Sequence, residues 1–518
     1  MLLRHNKLFV IFTKKTKPMQ LNRLFFLIGI LVTVCACRSD FETVASKGDL
    51  VFSQDTIYLD TVFSTIGSST FQLKVYNKSN EDIAIPSIQL GKGLSSKYRM
   101  TVDGMSGNQG KLFQDVTLLA KDSLYIFIET TVNAADANPS DFLYTDQIEF
   151  DSGVNLQKVA LVTLVKDAIF LFPQRLSNGS KETIPVGNKS VEGFYLDDNE
   201  LHFTNQKAYV IYGYAGVPSG KTAVFDAGAR VYFHANSGLI VGNTASLQIN
   251  GSSSLTNQLE NEVIFQGDRL QSDYADVTGQ WETVWLNEGA TNNSINHLTI
   301  KNASIGLLIQ NNNGNNVSIK NTQIYNSTHY GIFAQNGKIT AENLIINNAG
   351  EAALGCVYGG NYTFTHCTFN NNWNNSSQQA VTLSNFKSGA VPETNALSKA
   401  TFNNCIIYGA YSNELELNKK TGAAFEYQFN NCLIKMDSKL ATTNPLYQFT
   451  TDAAHYNAII LNQDPKFQSV SKNKLNIDGT SAAFAKGNSA YLIPLDITGT
   501  TRTLPPDLGA YQSKPFVN

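Results

Sequence analysis

The chain has 518 residues, of which 42% are hydrophobic and only 16% are charged. Residues 1–36 contain six basic and no acidic side chains, so the remainder has a formal charge of about −9, against −3 for the whole chain. A negative balance of this size disfavours nucleic acid as a partner.

The amino-terminal residues predict a secretion signal. Basic side chains precede an apolar run over residues 24–34, which is too short for a comfortable membrane span. The run ends in a Val-Cys-Ala-Cys sequence that resembles a bacterial lipobox, and this implies lipid attachment at Cys37, because small Ala36 precedes it. Met19 could be the true start, and an uncleaved anchor helix is the alternative to a cleaved signal.

The predicted signal also indicates where in the cell the protein is located. Residues 38–42 include two acidic side chains directly after the lipidated cysteine, which resembles surface-export signals of Bacteroidetes lipoproteins. We therefore expect a lipid anchor in the outer membrane with the protein facing the cell exterior, although the inner face stays open.

A β-sandwich is predicted next, over residues 49–166, after a tether over 37–48. Apolar and polar residues alternate along 70–76, 83–88 and 123–130, with turn residues between them. The pattern resembles an immunoglobulin-like module. A spacer role is the simpler interpretation and a separate ligand site is the alternative.

A repeat dominates the second half of the chain. A large apolar residue recurs at steps of 22 to 27 residues, with one step of 38, within short phrases rich in β-branched residues and asparagine. Such repeats cannot bury an apolar face alone and must stack. We expect the marker residues to form an inward column, over a solenoid at 209–440 that follows a connector and cap at 167–208. The markers are Ile300, Ile324, Ile346, Phe369, Ile407 and Ile434.

Two further columns are predicted beside the markers. Asparagine lies two residues beyond the first four markers, and it tolerates the left-handed backbone of a tight bend. These residues are Asn302, Asn326, Asn348 and Asn371. His366 occupies the position held by asparagine in the phrases before it, so we interpret it as a turn residue. An antiparallel sheet with asparagine-rich turns is the alternative.

Cysteines occupy the position two residues before three of the markers. Cys367, Cys405 and Cys432 should therefore form a buried column of small apolar groups. Free thiols are the preferred interpretation, and a disulfide between Cys405 and Cys432 is the alternative.

The solenoid resembles the right-handed parallel β-helix of the pectate-lyase-like superfamily, from about residue 209 to the carboxyl terminus. Four ordered motifs resemble the C-terminal cap of bacterial β-helix proteins of the choice-of-anchor-Q type, at 464–467, 481–487, 495–499 and 506–511. The resemblance implies C-terminal coils and a cap over 441–518. The fold class expected is therefore all-β, a right-handed parallel β-helix preceded by a sandwich.

The resemblance also implies where catalysis would need its residues. Lyases of the family hold Ca²⁺ with acidic residues and use Arg or Lys as base, whereas the hydrolases use clustered aspartates. This chain has no Asp from 277 to 436 and no Arg from 270 to 501. Glu342 and Glu351 could supply carboxylates and Lys338 and His329 a base, but solvated or structural roles are the simpler interpretation. Ca²⁺ is expected only if the lyase alternative holds, and no other cofactor is expected.

Aromatic residues supply the candidate binding contacts. Trp281 and Trp285 should share one face of a strand and pack the opening coils, because their spacing is even. Trp373 lies in a polar run over 370–377 that predicts an exposed loop, and an exposed indole among amides suits a sugar ring. Tyr330, beside His329, is the second candidate contact.

The sequence thus predicts a membrane-anchored protein whose β-helix binds a glycan or a glycan-bearing partner without catalysis. The polar exterior favours a neutral glycan over a polyuronate. A divergent polysaccharide lyase or glycosidase is the first alternative, and a structural spacer or protein adhesin is the second. The sequence names no oligomeric state.

Overall fold

The computed structural model describes residues 42–312, 314–373, 378–389 and 391–516. The predicted signal and the lipid-attachment residue Cys37 lie outside these residues. Two compact units are present, the first comprising residues up to Ile57, Thr70–Thr130 and Thr145–Val162, and the second comprising the rest. No helix in the described part of the chain is long and apolar enough to cross a membrane.

The first unit consists of two sheets of mainly antiparallel strands. Alternating residues are buried along Phe71–Tyr76, Ile83–Leu90 and Ser123–Thr130, as the sequence predicts. Phe52 of one sheet contacts Phe150 of the other with ring centroids 4.7 Å apart. The unit is therefore a sandwich, and its immunoglobulin-like character stays a prediction. The strands of one sheet are Val51–Phe52, Phe71–Tyr76, Tyr98–Val102 and Ser123–Thr130. Those of the other are Val44–Ala45, Thr56–Tyr58, Ile83–Leu90, Leu112–Leu118, Leu143–Phe150 and Gln157–Lys166.

The second unit is a parallel β-helix with three faces, which we call A, B and C in the order in which the chain passes through them in each coil. Corresponding strands of successive coils pair in parallel, so the antiparallel alternative is wrong. The strands of face A are Ala168–Leu171, Ala208–Ile211, Arg230–Phe233, Val263–Gly267, Leu298–Lys301, Gln323–Ser327, Ile345–Ala349, Thr368–Asn371, Ile406–Gly409, Leu433–Ile434 and Ile460–Leu461.

Faces B and C are joined in two coils by long strands that bend, Tyr330–Glu342 and Ala352–Thr365. The other strands of face B are Lys189–Tyr195, Tyr214–Val217, Gly238–Val241, Trp281–Leu286, Ala303–Gln310, Gln379–Ser384 and Leu415–Asn418. The other strands of face C are His202–Phe203, Thr222–Asp226, Ser246–Asn250, Ser294–Asn296, Val317–Lys320, Leu397–Asn403, Gln428–Asn430 and Tyr456–Asn457.

The remaining elements are short. Thr183–Val186 forms a hairpin with Lys189–Tyr195, Phe386–Lys387 pairs with Glu393–Thr394, and Val62–Phe63 pairs in parallel with the end of Gln157–Lys166. The one α-helix of the described residues is Leu440–Thr443. Single 3₁₀ turns occur at Gly93–Ser95, Ala134–Asp136, Gly153–Asn155, Ser272–Tyr274, Pro445–Tyr447, Val470–Lys472 and Ser489–Tyr491.

The interior of the β-helix is filled by columns of like residues, because each strand position stacks on its counterpart one coil away. All six marker residues are fully buried and lie in register along face A, which confirms the predicted inward column. A second column on face C runs through Phe364, Phe402, Phe429 and Tyr456, with successive ring centroids 5.0, 4.8 and 5.7 Å apart. These separations match the spacing of adjacent strands, so the rings stack without distorting the sheet.

Two columns of left-handed residues form the bends on either side of face A. At the A–B bend, Asn302, Asn326 and Asn348 have φ of 62°, 58° and 60°, as predicted, but Asn371 does not. Asn371 is instead buried, and its amide donates to the carbonyls of Ala349 and Gln379 at 2.8 and 2.9 Å.

The C–A bend carries the second column of left-handed residues. His366 belongs to it, as predicted, with a φ of 53° and full burial. Asn404 donates to its Nε2 across 3.0 Å, so the ring is one step of a hydrogen-bonded ladder. We call this set the C–A column; its members are His297, Asn321, Asn343, His366, Asn404 and Asn431.

The three cysteines predicted to form an inward column are fully buried and are free thiols. The Sγ atoms of Cys367, Cys405 and Cys432 lie 3.4, 3.2 and 3.4 Å from main-chain carbonyl oxygens two residues earlier. Cys356, on face B, is buried in the same core.

The prediction that Trp281 and Trp285 share a face is wrong. Trp281 is fully buried and stacks on Phe233, whereas Trp285 is half-buried and its Nε1 donates to Gln310 across 2.9 Å. The pairing of this strand with the next shifts between Thr283 and Val284, where the next strand contains one more residue. Thr283 and Val284 are both buried at this irregularity, so the alternation along the strand reverses there and Trp285 lies on the outer side.

Residues 464–516, which we call the C-terminal segment, run along the outer side of face A. Outward apolar residues of face A are buried beneath it, namely Ile345, Ile406 and Leu433, in contact with Leu475, Ile477, Ala483, Ile497 and Leu508. The C–A column also holds the segment, because Asn343 donates to the Leu495 carbonyl and Asn404 to the Asn488 carbonyl at 2.9 and 3.0 Å.

Candidate functional site

The A–B bend carries a ladder of amides on the outside of the β-helix. Asn348 donates to Asn326, and Asn326 to Asn302, across 3.4 Å in each case. The main-chain N–H of Asn372 on the following coil donates to Asn348 Oδ1 across 3.3 Å. Left-handed backbone at each step places these amides one above another along the bend, where Asn302 and Asn326 are buried and Asn348 is partly exposed.

A cleft with a volume of about 530 Å³ lies over this ladder. Its floor contains Asn326, Asn348 and Asn372, and the Trp373 side chain also lines the cleft. Two walls enclose the cleft. One wall comes from the loop at 276–278 and the other from residues 470–471 of the C-terminal segment. We call this cleft the A–B groove.

Trp373 is half-buried rather than fully exposed. It stands next to Gly350, where an added Cβ would lie 3.5 Å from the indole Cε2 and would collide with the carbonyl oxygen of Thr328. The close approach of these coils therefore requires glycine, and it leaves the indole beside the bend. The side chain is positioned by the fold and still lines the open cleft.

Hydrogen-bonding capacity remains available in the groove. Asp276 accepts from Asn326 across 3.2 Å through one oxygen only, which leaves its second oxygen for a further donor. Thr278 and Ser471 add hydroxyls. Amides, hydroxyls and an aromatic ring in one open cleft are the groups that bind a hydroxyl-bearing ring.

The predicted cluster of His329, Tyr330 and Glu351 forms just beyond the A–B bend. Nδ1 of His329 lies 2.8 Å from Oε1 of Glu351, and both side chains are about half exposed, at 52% each. The Tyr330 ring packs against Phe333 with centroids 4.4 Å apart. Burial raises the pKa of the Tyr330 hydroxyl, and the neighbouring Glu351 carboxylate raises it further.

The other two candidate catalytic residues lie elsewhere. Glu342 and Lys338 follow the bend in the long strand and belong to face C, whereas Tyr330 belongs to face B. Glu342 pairs with Lys320 across 3.0 Å. The structure therefore does not assemble the four residues into one site.

Two further observations bear on catalysis. Glu414 is fully buried in the coil rather than open to a substrate. No group of three or more His, Cys, Asp or Glu side chains within the described ranges could hold a metal ion.

The sequence predicted Asn326 and Asn348 as bend residues and Trp373 as a contact, but it did not predict that they line one groove. Asp276 and Thr278 come from one loop and Ser471 from a segment nearly two hundred residues later. Asn372 adjoins Trp373 in the polar run already identified, so that run carried the only available signal.

No family model and no curated protein matches the chain. Among solved structures it is similar to pectate lyase Pel9A, with a TM-score of 0.27 and 11% identity over 67% of this chain and 88% of that one. It is also similar to the catalytic unit of a GH87 α-1,3-glucanase from Streptomyces thermodiastaticus, with a TM-score of 0.23 and 10% identity over 70% and 75% of the two chains. A PapD-like domain of human CEP192 has a TM-score of 0.15 and 12% identity, over 32% of this chain and 99% of that one.

Proposed function

We propose that this protein is a lipid-anchored outer-membrane protein whose β-helix binds glycan chains in the A–B groove without cleaving them. The observation that carries the proposal is the combination of the amide ladder with Trp373 in one cleft. The amides offer donors and acceptors at successive coils, and the indole offers an apolar surface for a sugar ring.

Substitution of the indole tests the binding site. We expect Trp373→Ala to weaken binding by about tenfold for a glycan that the unsubstituted protein binds. The reason is that a buried aromatic contact commonly supplies much of the binding free energy. Binding would be measured by retardation in native gels cast with neutral and acidic polysaccharides, then by calorimetry with oligosaccharides.

The matched control is Trp285→Ala, which removes another half-buried tryptophan from the outside of face B. Equal weakening by both substitutions, or none by Trp373→Ala, would remove the A–B groove from consideration. Loss of binding to every glycan with retention of a protein partner would favour the adhesin alternative.

Lipid attachment is tested separately. Metabolic labelling with a fatty acid should be lost in Cys37→Ala and retained in Cys35→Ala. Access of an added protease to intact cells would then distinguish the exterior from the interior face of the membrane.

The enzymatic alternative retains one supporting observation, the hydrogen bond between His329 and Glu351 beside Tyr330. If these residues cleave a glycan, the polymer in the gel will shorten, and His329→Gln will abolish the shortening. An intact polymer with unchanged retardation in His329→Gln supports binding alone.

A further inference from the structure

A second cavity, with a volume of about 1000 Å³, lies on the outer side of face A. The loop at 254–262 forms one side of it and the C-terminal segment forms the other. It adjoins the A–B groove, since Asp276 and Asn326 line both. The two spaces are therefore immediate neighbours.

The floor of this cavity is polar. The outward side chains of face A beneath the C-terminal segment are of both kinds, apolar at Ile345, Ile406 and Leu433 and polar at Asn347, Thr368 and Asn370. On the two coils below the cavity they are polar, and they comprise Thr299, Lys301, Gln323 and Tyr325.

The polar residues of the floor are held in a buried network around Glu262, which is only 6% exposed. Thr299 donates to its carboxylate, and Gln323 donates to the same carboxylate across 3.2 Å. Tyr325 in turn donates to the amide oxygen of Gln323, and Tyr511 packs against Tyr325. The network fixes the rotamers of these side chains, so the floor is rigid before any ligand arrives.

Charge distinguishes this cavity from the rest of the molecule. Lys301 on the floor and Lys472, Lys474 and Lys514 on the walls face only two acidic side chains, Glu262 and Asp276. Burial raises the pKa of Glu262 and lowers that of Lys301. An excess of ammonium groups in one recess is unexpected in a chain whose residues after 36 carry a formal charge of about −9, and it attracts anions locally.

We propose that this cavity binds the negatively charged groups, carboxylate or sulfate, of an acidic saccharide whose adjoining sugar rings lie in the A–B groove. The inference rests on the proposed glycan-binding function, because the cavity lies next to the A–B groove and shares two lining residues with it. It also replaces the neutral glycan favoured by the sequence with an acidic one, since whole-chain charge and local charge have opposite signs here.

The experiment compares three hexasaccharides of equal length by calorimetry with the whole mature chain. They are oligogalacturonate, chondroitin sulfate and a neutral cello-oligosaccharide. We expect at least one acidic hexasaccharide to bind about tenfold more tightly than the neutral one at low salt, with the difference shrinking as salt is added. Preference between carboxylate and sulfate would identify which group the ligand carries.

Substitution then locates the effect. Lys472→Gln with Lys474→Gln should remove most of the preference for the acidic ligand, by about tenfold, and leave neutral binding unchanged. Lys189→Gln with Lys399→Gln makes the same charge change at exposed positions outside the cavity lining and should have no effect.

The outcomes separate the two proposals. Binding that depends on Trp373 without preference for charge overturns the inference and leaves the proposed function intact. Charge-dependent binding that is unaffected by Trp373→Ala supports the cavity and overturns the A–B groove. Equal loss in both lysine double variants shows non-specific attraction and overturns the inference, and no binding at all overturns both.

Discussion

Glu414 is a carboxyl group that the fold keeps protonated. It is fully buried, its Oε1 accepts the Tyr411 N–H across 2.8 Å, and its Oε2 has no partner among the described residues. Burial raises its pKa from 4.5 to about 8. The folded state therefore holds a proton that the unfolded state releases, and the stability that depends on this proton is lost as pH rises from about 4.5 to 8.

Replacing the Glu414 carboxyl group with an amide should remove this pH-dependent loss of stability. We expect Glu414→Gln to raise the free energy of unfolding at pH 8 by a few kcal/mol relative to the unsubstituted protein, with a much smaller difference near pH 4.5. Urea denaturation across this pH range measures the effect. Exposed Glu426→Gln is the control, and parallel pH profiles for Glu414→Gln and the unsubstituted protein would show that Glu414 ionises freely in the fold.

His366 has the opposite pH dependence. Burial, and then the nearby Arg502 guanidinium, lowers its pKa from 6.5 to about 3. The folded state favours the neutral form of the His366 imidazole. The stability that this neutral form contributes is fully present above pH 6.5 and is lost as pH falls towards 3. His366→Asn introduces the residue found on neighbouring coils and should reduce the loss of stability in acid. Thermal unfolding at pH 4 and pH 7 would reveal this, and an equal fall in both proteins would contradict it.

At the scale of elements, the C-terminal segment is held by a buried arginine. Arg502 donates to the Asn343 side chain across 2.9 Å and to the carbonyls of Gly509 and Ala510 across 3.1 Å. Its guanidinium thus joins two stretches of the segment to the C–A column. Burial lowers its pKa to about 10, so it remains charged at neutral pH.

Arg502→Leu should release the segment, because the Asn343 oxygen and two buried carbonyls would lose their donor. We expect unfolding to be easier by about 2–4 kcal/mol, with early loss of amide protection over 495–511. Hydrogen exchange followed by mass spectrometry measures this region directly. Arg269→Leu, at an exposed arginine that stacks on Tyr274, is the control. Unchanged protection in Arg502→Leu would show that apolar packing alone holds the segment.

The sequence predicts some of these elements well and others poorly, for physical reasons. The marker column follows from a repeat that must stack, and Ile324 and Phe369 are buried as expected. The expected orientation of Trp285 is wrong because the alternation of buried residues along its strand reverses at Thr283 and Val284, where its pairing with the next strand is irregular. Alternation along a single strand contains no information about its partner, so an irregularity of this kind is invisible until the coils are paired.

At the scale of the whole molecule, the groove and the cavity depend on contacts that are remote in sequence. Ser471 and Lys474 reach face A only because the C-terminal segment runs back along it. The sequence indicated a terminal cap from its motifs but gave no path for it. A net charge likewise averages over the chain, and it concealed the lysines that gather around Glu262.

Truncation after residue 462 tests how far the β-helix depends on that segment. The outward residues Ile345, Ile406 and Leu433 would become exposed along one side of the solenoid. We expect aggregation at micromolar concentration, because newly exposed apolar side chains on a sheet promote association. Light scattering would detect it, and threonine at all three positions should reduce it. A monodisperse truncated protein would show that this exposure is tolerated.

The buried thiols of the core can report how often the coils of the solenoid separate. Cys356, Cys367, Cys405 and Cys432 are each fully enclosed, and they lie in consecutive coils except that the first two share one. An alkylating reagent can reach such a thiol only when its coil separates from a neighbour. The rate at which each cysteine is modified in the native protein therefore counts the openings of its own coil. Comparison of the four modification rates would show whether the coils unfold in order from the carboxyl-terminal end or all together.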